Sequence, residues 1–350
     1  MKILFAGDIE NPVMSGSQRC NAFGRLGNTV IPFDTTRFGK PIPYWTGLTR
    51  RVLPPSLYER TLRAKARDCG TRLLRAAIAH RPDIVWLEWP RLINAEIVCA
   101  LKAKLPGAHI VSFQNDNPFG ARKRATHGWN RFLDAIPYYD LHFVKRKADL
   151  AEYYRRGARK VAICMEGYSE DIFFPRASQC GSCKYPVVFA GTPLDHRVTT
   201  LNELTGKFGL RVDIFGRRWK RTPLFPGRRR LLHSPLSMEE YRELLWQASI
   251  ALGFVSWSNH DEFTMRSFEI PAAGTFLLAE RTMTHQSLYV EGREAEFFDN
   301  SEECRDKLLY YLDHSPQRRQ IAAAGHERCV KSGYGITDRL RLALQTVAEL

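Results

Sequence analysis

Short apolar runs alternate with longer stretches of helical periodicity through the first 165 residues. The runs have the length and composition of buried parallel strands, and the stretches between them repeat apolar residues every three or four positions. Strands are predicted at residues 2–7, 29–33, 83–88, 109–113, 141–144 and 160–164. Helices are predicted at residues 17–27, 57–80, 93–104, 129–136 and 146–156. This alternation predicts a doubly wound parallel sheet.

A stretch rich in glycine, proline, serine and polar residues interrupts the alternation at residues 166–185, and we interpret it as a linker. Beyond it, strands are predicted at residues 186–192, 211–216, 249–255, 276–279 and 295–298. Helices are predicted at residues 196–206, 238–247, 265–273, 302–313 and 316–331. A chain of 350 residues exceeds the usual size of one hydrophobic core. The prediction is therefore an α/β protein with two Rossmann-like domains, residues 1–165 and 186–335, facing each other across a cleft.

The last helical pattern, residues 336–350, is predicted to pack back on the N-terminal domain. In doubly wound sheets, ligands bind at the carboxyl ends of the strands, where loops and helix N-termini meet. The residues that follow predicted strands are therefore the candidates for chemistry.

Positive charge is concentrated in the first half of the chain. Of the 52 Lys and Arg and 37 Asp and Glu, residues 1–175 hold 28 basic and 16 acidic, a net charge of +12 out of +15. Residues 37–81 alone hold 11 basic and 2 acidic residues, with aromatic and leucine side chains between them. Such a segment attracts anions, and an anionic membrane surface, a phosphate-bearing substrate and nucleic acid are the candidates. Nucleic acid is disfavoured because the arginine-rich runs at 216–221 and 227–233 contain few aromatic residues to stack on bases.

The distribution of apolar residues and cysteines predicts a cytoplasmic protein, located either free in the cytoplasm or on the inner face of the membrane. The apolar run before Asp8 is too short for a signal peptide, and no uncharged run approaches the length of a membrane span. Most of the 8 cysteines are scattered, which favours reduced thiols. Cys180 and Cys183 have the spacing of half a zinc site, but no second pair follows at zinc-ribbon distance, so they are interpreted as incidental thiols and no metal is predicted.

Gly191 and Thr192 follow a predicted strand, and Arg197 lies at the start of the next helix. Free backbone N–H groups and a guanidinium both favour negative charge, so this turn is a candidate diphosphate site. The alternative is an ordinary surface arginine on a helix.

Four charged residues precede or begin the predicted helix at 265–273: Asp261, Glu262, Arg266 and Glu269. Arg266 and Glu269 are three positions apart and would share one face of a helix that starts near Thr264. They form either an exposed salt bridge or a binding site, in which Glu269 accepts hydrogen bonds from vicinal hydroxyls and Arg266 contacts phosphate.

In the N-terminal half, Ser15, Gly16 and Ser17 enter the first helix through small residues that let a ligand approach, although Ser17 could equally cap the helix. Their spacing is not that of a dinucleotide-binding loop. Asp8 and Asp116 both follow predicted strands. Each is either a contact to an acceptor hydroxyl or a residue that caps a turn.

Several segments together resemble the C-terminal domain of group 1 glycosyltransferases. They are VVFAGT, VDIFG, MRSFEIPAAGTFLLAERT, EGREAEFFD and YYLDHSPQRRQIAAAGHERC, which span residues 185–335. The RSFEIPAAG core is similar to the CgeB-type, or spore-maturation-protein-like, branch. The N-terminal half resembles the same superfamily more loosely, through MSGSQRCNAFGRLGNTV and VAICMEGYSEDIFFP.

The resemblance implies a GT-B fold, a nucleotide-sugar donor held by the C-terminal domain, retention of configuration and no obligatory metal or other cofactor. UDP- or GDP-linked sugars are the implied donors, and the acceptor is a glycan or a lipid-linked molecule. By position, Glu269 would hold the ribose and Asp261 the donor sugar, with Glu262 as a rival, and Ser267 belongs to the same motif. Arg197 and Arg266 would replace a metal at the diphosphate, and Phe215 and Gly216 would begin the base pocket. The alternatives are a nucleotide-sugar epimerase of the same fold and a catalytically silent basic protein that binds glycans or membranes.

Overall fold

A computed structural model describes residues 1–10, 15–39, 55–120, 129–176, 183–222 and 229–350. The chain divides into two compact units, which are considered separately below. Unit 1 consists of Met1–Met165 and Leu340–Leu350, and unit 2 consists of Glu166–Arg339. No helix among the described residues is both long enough and apolar enough to cross a membrane.

Unit 1 is built on a six-stranded, fully parallel sheet with the strand order β2-β1-β3-β4-β5-β6. Its strands are β1 (Lys2–Gly7), β2 (Thr29–Asp34), β3 (Ile84–Glu88), β4 (His109–Gln114), β5 (Leu141–Val144) and β6 (Val161–Ile163). Its helices are α1 (Ser15–Arg25), α2 (Thr36–Gly39), α3 (Pro55–His80), α4 (Ala95–Lys104), α5 (Asn130–Ala135) and α6 (Leu150–Arg155). The inner strands β1, β3 and β4 are mostly apolar and almost wholly buried, as expected when helices cover both faces of a parallel sheet.

Unit 2 repeats this architecture with the strand order β12-β11-β10-β7-β8-β9, again fully parallel. Its strands are β7 (Tyr185–Ala190), β8 (Asp213–Phe215), β9 (Leu232–His233), β10 (Ala248–Gly253), β11 (Phe276–Glu280) and β12 (Glu296–Phe298). Its helices are α7 (Arg197–Asn202), α8 (Met238–Trp246), α9 (Arg266–Ala272), α10 (Met283–Leu288), α11 (Ser301–Asp313) and α12 (Ser315–Lys331). The last helix, α13 (Ile336–Ala348), begins in unit 2, and its residues from Leu340 onward belong to unit 1.

The described part of the predicted linker belongs to unit 2 and packs within it. Tyr168 accepts a hydrogen bond from the backbone N–H of Ile336 at 2.9 Å, and its own N–H donates to the carbonyl of Tyr334 at 3.3 Å. Phe173 is buried and its ring meets that of Tyr241 edge-on, with the centroids 5.8 Å apart. Cys180 lies outside the described residues, and Cys183 is exposed and free.

The hydrophobic pattern predicted the long elements and missed three of the short ones. All eleven predicted strands are present within a few residues of their expected ends. Neither the two-residue β9 nor the short helices α2 and α10 were predicted. Each of these three elements spans fewer than two repeats of its hydrophobic pattern, which is too little to recognise a periodicity.

Candidate active site

In unit 2, the strand order reverses between β7 and β10. From β7 the chain runs to β8 and β9 on one side of the sheet, and from β10 it runs to β11 and β12 on the other. Connections that leave in opposite directions open a crevice at the carboxyl ends of these two strands, and this is where open α/β sheets bind ligands. The loops after β7 and β10 and the start of α9 meet at this crevice.

Arg197 is a buried cation that contacts three backbone carbonyls at the crevice. Its guanidinium donates to the carbonyl oxygens of Thr192 (3.4 Å), Phe254 (3.4 Å) and Val255 (3.2 Å), and Nε has no partner among the described residues. Burial lowers the pKa of Arg197, and the neighbouring carboxylates of Glu280, Asp195 and Asp261 only partly offset this. An arginine with no carboxylate within ion-pair distance in the described chain is suited to receive an anion from solution.

The helix that begins at Arg197 is shorter than the sequence predicted. Residues 196–206 were expected to form one helix, but α7 ends at Asn202 and continues as a π-helical turn over Glu203–Lys207. A helix of six residues carries a small dipole, so its N-terminus adds little to anion binding. The anion-binding capacity of this turn therefore lies in the Arg197 side chain.

Arg266 and Glu269 form the predicted pair, in which the Glu269 carboxylate is fully buried and the Arg266 side chain is partly exposed. Nη1 of Arg266 donates to Oε2 of Glu269, and Nε donates to the carbonyl of Ala190, the last residue of β7, at 3.2 Å. The guanidinium also lies over the ring of Tyr241, 4.2 Å from its centroid. Glu269 is 0% exposed, which excludes the alternative of an ordinary exposed salt bridge.

The two oxygens of the Glu269 carboxylate have different surroundings. Oε2 accepts from Arg266, whereas Oε1 is buried and accepts no hydrogen bond from the described residues. Burial raises the pKa of Glu269 and Arg266 opposes the shift, whereas Glu269 and Tyr241 together hold the pKa of Arg266 above its ordinary value against the effect of burial. A buried acceptor without a donor is costly, and a hydroxyl-bearing ligand would satisfy it.

Gly191 and Gly216 lie in contact with each other after strands β7 and β8. Gly216, directly after β8, has φ +149°, and a Cβ there would lie 2.0 Å from the carbonyl oxygen of Gly191. That same oxygen accepts a hydrogen bond from Nε1 of Trp219 at 2.8 Å. Only glycine fits at position 216, where it lets the loops after β7 and β8 lie against each other. Phe215 is buried and stacks on His233, with ring centroids 4.3 Å apart.

Asp261 and Glu262 lie in different surroundings, which separates the two rival predictions. Asp261 accepts from the side-chain amide of Asn259 at 3.0 and 3.1 Å and lies close enough to Arg197 to act on its pKa. Glu262 is exposed, and its carboxylate accepts from the hydroxyl of Thr284 on α10. Of the two carboxylates, Asp261 is the one associated with the buried arginine.

Ser267 is already engaged within the protein. Its hydroxyl accepts from the backbone N–H of Thr264 at 3.1 Å and bonds Nε2 of His285 at 2.7 Å. The side chain therefore stabilises the start of α9, and its predicted contact with the donor has no support from this geometry.

Three residues of the crevice were missed by the sequence reasoning: Tyr241, Trp257 and Glu280. Oε2 of Glu280 accepts from the backbone N–H of Val255 at 2.6 Å, and its other oxygen contacts Nε2 of His196. The His196 ring stacks on Trp257, with centroids 3.6 Å apart, and the indole is 60% exposed. Glu280 could have been found from its position at the end of the apolar run FLLAE, because residues that follow strands are candidates for chemistry. No local sequence pattern indicated Tyr241 or Trp257.

The predicted residues of unit 1 gather at the carboxyl edge of its sheet. The Ser15 hydroxyl accepts from Nη2 of Arg19 (2.8 Å) and from the side-chain amide of Asn115 (3.1 Å). A Cβ on Gly16 would lie 2.7 Å from the carbonyl oxygen of Asp8, so α1 begins directly against the end of β1. These contacts bring the predicted loop and the end of β4 together.

Ser17 and Asp116 occupy this edge as well. Ser17 is buried in the first turn of α1. The carboxylate of Asp116 accepts from Nε1 of Trp89 at 3.1 Å. That bond fits either a turn residue or a positioned acid–base group.

A buried ion pair between α1 and β3, Arg19–Glu88, was not predicted. Nε of Arg19 donates to both carboxylate oxygens, at 3.0 and 3.1 Å, and Trp86 donates to Oε2 at 3.2 Å. The guanidinium lies 4.2 Å from the centroid of the Phe113 ring. Two residues 69 positions apart in the sequence give no local signal of such a pair.

No group of three or more His, Cys, Asp or Glu residues with the geometry of a metal site occurs in the described ranges.

The two sheets match the GT-B fold, which consists of two Rossmann-like domains. Sucrose-phosphate synthase from Thermosynechococcus elongatus is similar over 100% of both chains, with a TM-score of 0.70 and 13% identity. HepE from Anabaena, solved with UDP-glucose, is similar over 100% of both chains, with a TM-score of 0.63 and 10% identity. A putative UDP-N-acetylglucosamine 2-epimerase from Listeria monocytogenes is similar over 99% of this chain and 96% of its own, with a TM-score of 0.54 and 13% identity.

Residues 197–345, a little under half of the chain, match the profile of a family described as glycosyl transferase-like. This range begins at Arg197 and includes α9 with its Arg266–Glu269 pair. No curated protein matches the chain.

Proposed function

We propose that this protein is a glycosyltransferase that moves a hexose from a nucleotide-sugar donor to a hydroxyl of a glycan or a lipid-linked acceptor. The observation that carries the proposal is the buried Glu269 carboxylate, which has one oxygen held by Arg266 and the other without a donor among the described residues. Two vicinal ribose hydroxyls offer the donors that this oxygen lacks. The match of residues 197–345 to glycosyl transferase-like proteins also supports the proposed glycosyltransferase function.

Arg197 and Arg266 supply the positive charge for the diphosphate. The bond between the sugar C1 and the diphosphate oxygen breaks, a bond between C1 and the acceptor oxygen forms, and negative charge accumulates on the departing group. Fixed cations at that point stabilise the transition state, and here both guanidinium groups contact backbone carbonyls at the crevice. We infer that no divalent metal is required, so activity should persist after chelation with EDTA.

The remaining assignments extend the proposal to the other predicted residues. Phe215 and Gly216 begin the base pocket for a UDP- or GDP-linked donor. Asp261 contacts the donor sugar, in preference to Glu262, because its charge acts on the buried Arg197 whereas Glu262 is exposed. The acceptor is held at the edge of unit 1 near Ser15, and its proton passes to a carboxylate there, with Asp8 and Asp116 as the candidates.

Three finer features of the proposal rest mainly on sequence. The RSFEIPAAG core supports membership of the CgeB-type branch, and the resemblance to group 1 enzymes supports retention of configuration. A cytoplasmic location is supported by the cysteines of the described chain, all of which are free.

Glu269→Gln is the variant that tests the proposal. The amide keeps the shape of the side chain but loses the charge-assisted hydrogen bonds to the ribose, so affinity for UDP or GDP should fall about 10- to 100-fold. Calorimetric titration measures the affinity, and circular dichroism confirms that the variant folds. Glu262→Gln, an exposed carboxylate bonded to Thr284, is the matched control and should bind as the parent does. Unchanged affinity in Glu269→Gln would refute the ribose contact.

An epimerase is the second candidate, because the Listeria epimerase structure shares this fold. Incubation with UDP-, GDP- and dTDP-linked sugars separates the two activities. Free nucleoside diphosphate indicates transfer or hydrolysis, whereas an altered sugar without release indicates epimerisation. Absence of any thermal shift with all nucleotides would indicate a catalytically silent protein.

A further inference from the structure

Helix α3 of unit 1 presents a row of arginines on its exposed face. Arg60, Arg63, Arg67 and Arg75 are all exposed, and their spacing of three, four and eight residues keeps them on one side of the helix. The opposite side packs into the core of unit 1 through buried apolar residues. They are Ala66, Cys69, Leu73 and Ala77. The helix is therefore anchored by one face and exposes a cationic one.

These four arginines form no ion pair with any described residue. Arg72 beside them pairs with Asp68 at 2.9 Å, and Asp68 is the one acidic side chain described along the exposed part of α3. With five arginines against one aspartate, the face keeps a charge of about +4. A helix face with this uncompensated positive charge favours binding of a negatively charged partner.

The row is too long for a small anion. Arg60 and Arg75 are fifteen residues apart, which is about 22 Å along a helix. A phosphate or a diphosphate group is much shorter than this row, so it cannot contact all four side chains. An extended anionic surface can contact the whole row at once.

The composition of the face favours a membrane over nucleic acid. Ile78, 43% exposed, lies eighteen residues, or five helical turns, after Arg60 and therefore on the same side of the helix. The described part of this face has no aromatic side chain to stack on bases. A cationic face with an exposed apolar residue combines electrostatic attraction to anionic headgroups with burial of apolar area at the interface.

We propose that the exposed face of α3 (Arg60, Arg63, Arg67, Arg75 and Ile78) docks this protein on membranes that contain anionic lipids. Each arginine near such a surface contributes on the order of fivefold to binding. The interaction is electrostatic and weakens as salt screens it. It does not depend on the donor chemistry of unit 2, so either proposal can fail without the other.

Vesicle flotation with the full-length protein tests the proposal. The parent should float with vesicles of phosphatidylcholine and phosphatidylserine, and should not float with phosphatidylcholine alone. The triple variant Arg63→Gln, Arg67→Gln, Arg75→Gln, which leaves the Arg72–Asp68 pair intact, should bind anionic vesicles on the order of a hundredfold more weakly. Nucleotide affinity should be unchanged.

The matched control removes the same formal charge from exposed arginines of unit 2: Arg176→Gln, Arg293→Gln, Arg319→Gln. It should retain most of the vesicle binding. Equal flotation with neutral vesicles, equal loss in both triple variants, or preferential binding of RNA to the α3 face would each overturn the proposal. Thermal unfolding of all three proteins confirms that they are folded.

Discussion

At the scale of the residue, burial distinguishes the Arg266–Glu269 pair from a common surface contact. The three-residue spacing predicted that the two side chains meet, and they do. Exposed pairs of this kind contribute little to stability. Here the carboxylate is fully buried and one of its oxygens has no donor in the described chain, which turns the pair into a candidate binding group.

Gly216→Ala should destabilise unit 2 by at least about 3 kcal/mol, because the new Cβ would collide with the carbonyl of Gly191 and the backbone φ of +149° disfavours alanine. Gly24→Ala is the control. Gly24 lies in α1, and a Cβ added there would meet no atom within 4 Å, so alanine should raise stability by about 0.5–1 kcal/mol. Denaturant unfolding measures both changes. A Gly216→Ala variant as stable as the parent would contradict the close approach of the two loops.

At the scale of the element, β5 contains a titratable residue that is wholly buried. Nδ1 of His142 bonds the hydroxyl of Ser112 at 2.6 Å, and Nε2 donates to the carbonyl of Ile136 at 2.9 Å. Burial lowers the pKa of His142 to about 4, although the bond to Ile136 opposes the shift. The imidazole of His142 is therefore neutral in the folded unit until the pH falls to about 4.

Stability of unit 1 should fall as the pH drops from about 6.5 to about 4. In this pH range the unfolded chain binds a proton at His142 that the folded chain does not. The free energy of unfolding should therefore be about 3 kcal/mol lower at pH 4 than at pH 6.5. His142→Gln should flatten this part of the profile, measured by denaturant unfolding at several pH values. His80→Gln, at an exposed position, should leave the slope unchanged. Equal slopes in all three proteins would exclude His142 as the source.

At the scale of the whole molecule, the two units have the same architecture but differ in their candidate chemistry. Unit 2 contains the buried Arg197, the partly exposed Arg266 and the buried Glu269 carboxylate at its strand ends. Unit 1 contains the cationic face of α3 and the Arg19–Glu88 pair. This distribution predicts that a nucleoside diphosphate binds to unit 2 and stabilises mainly that unit.

Adding UDP or GDP should slow amide hydrogen exchange most in unit 2, at residues 190–192, 254–256 and 265–269, which surround the crevice. A ligand present at a hundredfold excess over its Kd contributes about 2.7 kcal/mol to the stability of the state that binds it. Mass spectrometry of peptic peptides with and without nucleotide measures the effect. Protection concentrated in residues 1–165 would contradict the assignment of the donor site to unit 2.

The sequence by itself determined the class of the fold and the order of its long elements, because each apolar strand run and each long helix carries its hydrophobic pattern within its own residues. It also determined that Arg266 and Glu269 share a face, since helical spacing alone requires this. Only the tertiary structure decided that Glu269 is buried, that Asp261 rather than Glu262 lies beside Arg197, and that Arg19 pairs with Glu88. Burial and pairing between distant residues depend on which strand ends meet at one edge of a sheet, and no local pattern encodes that meeting.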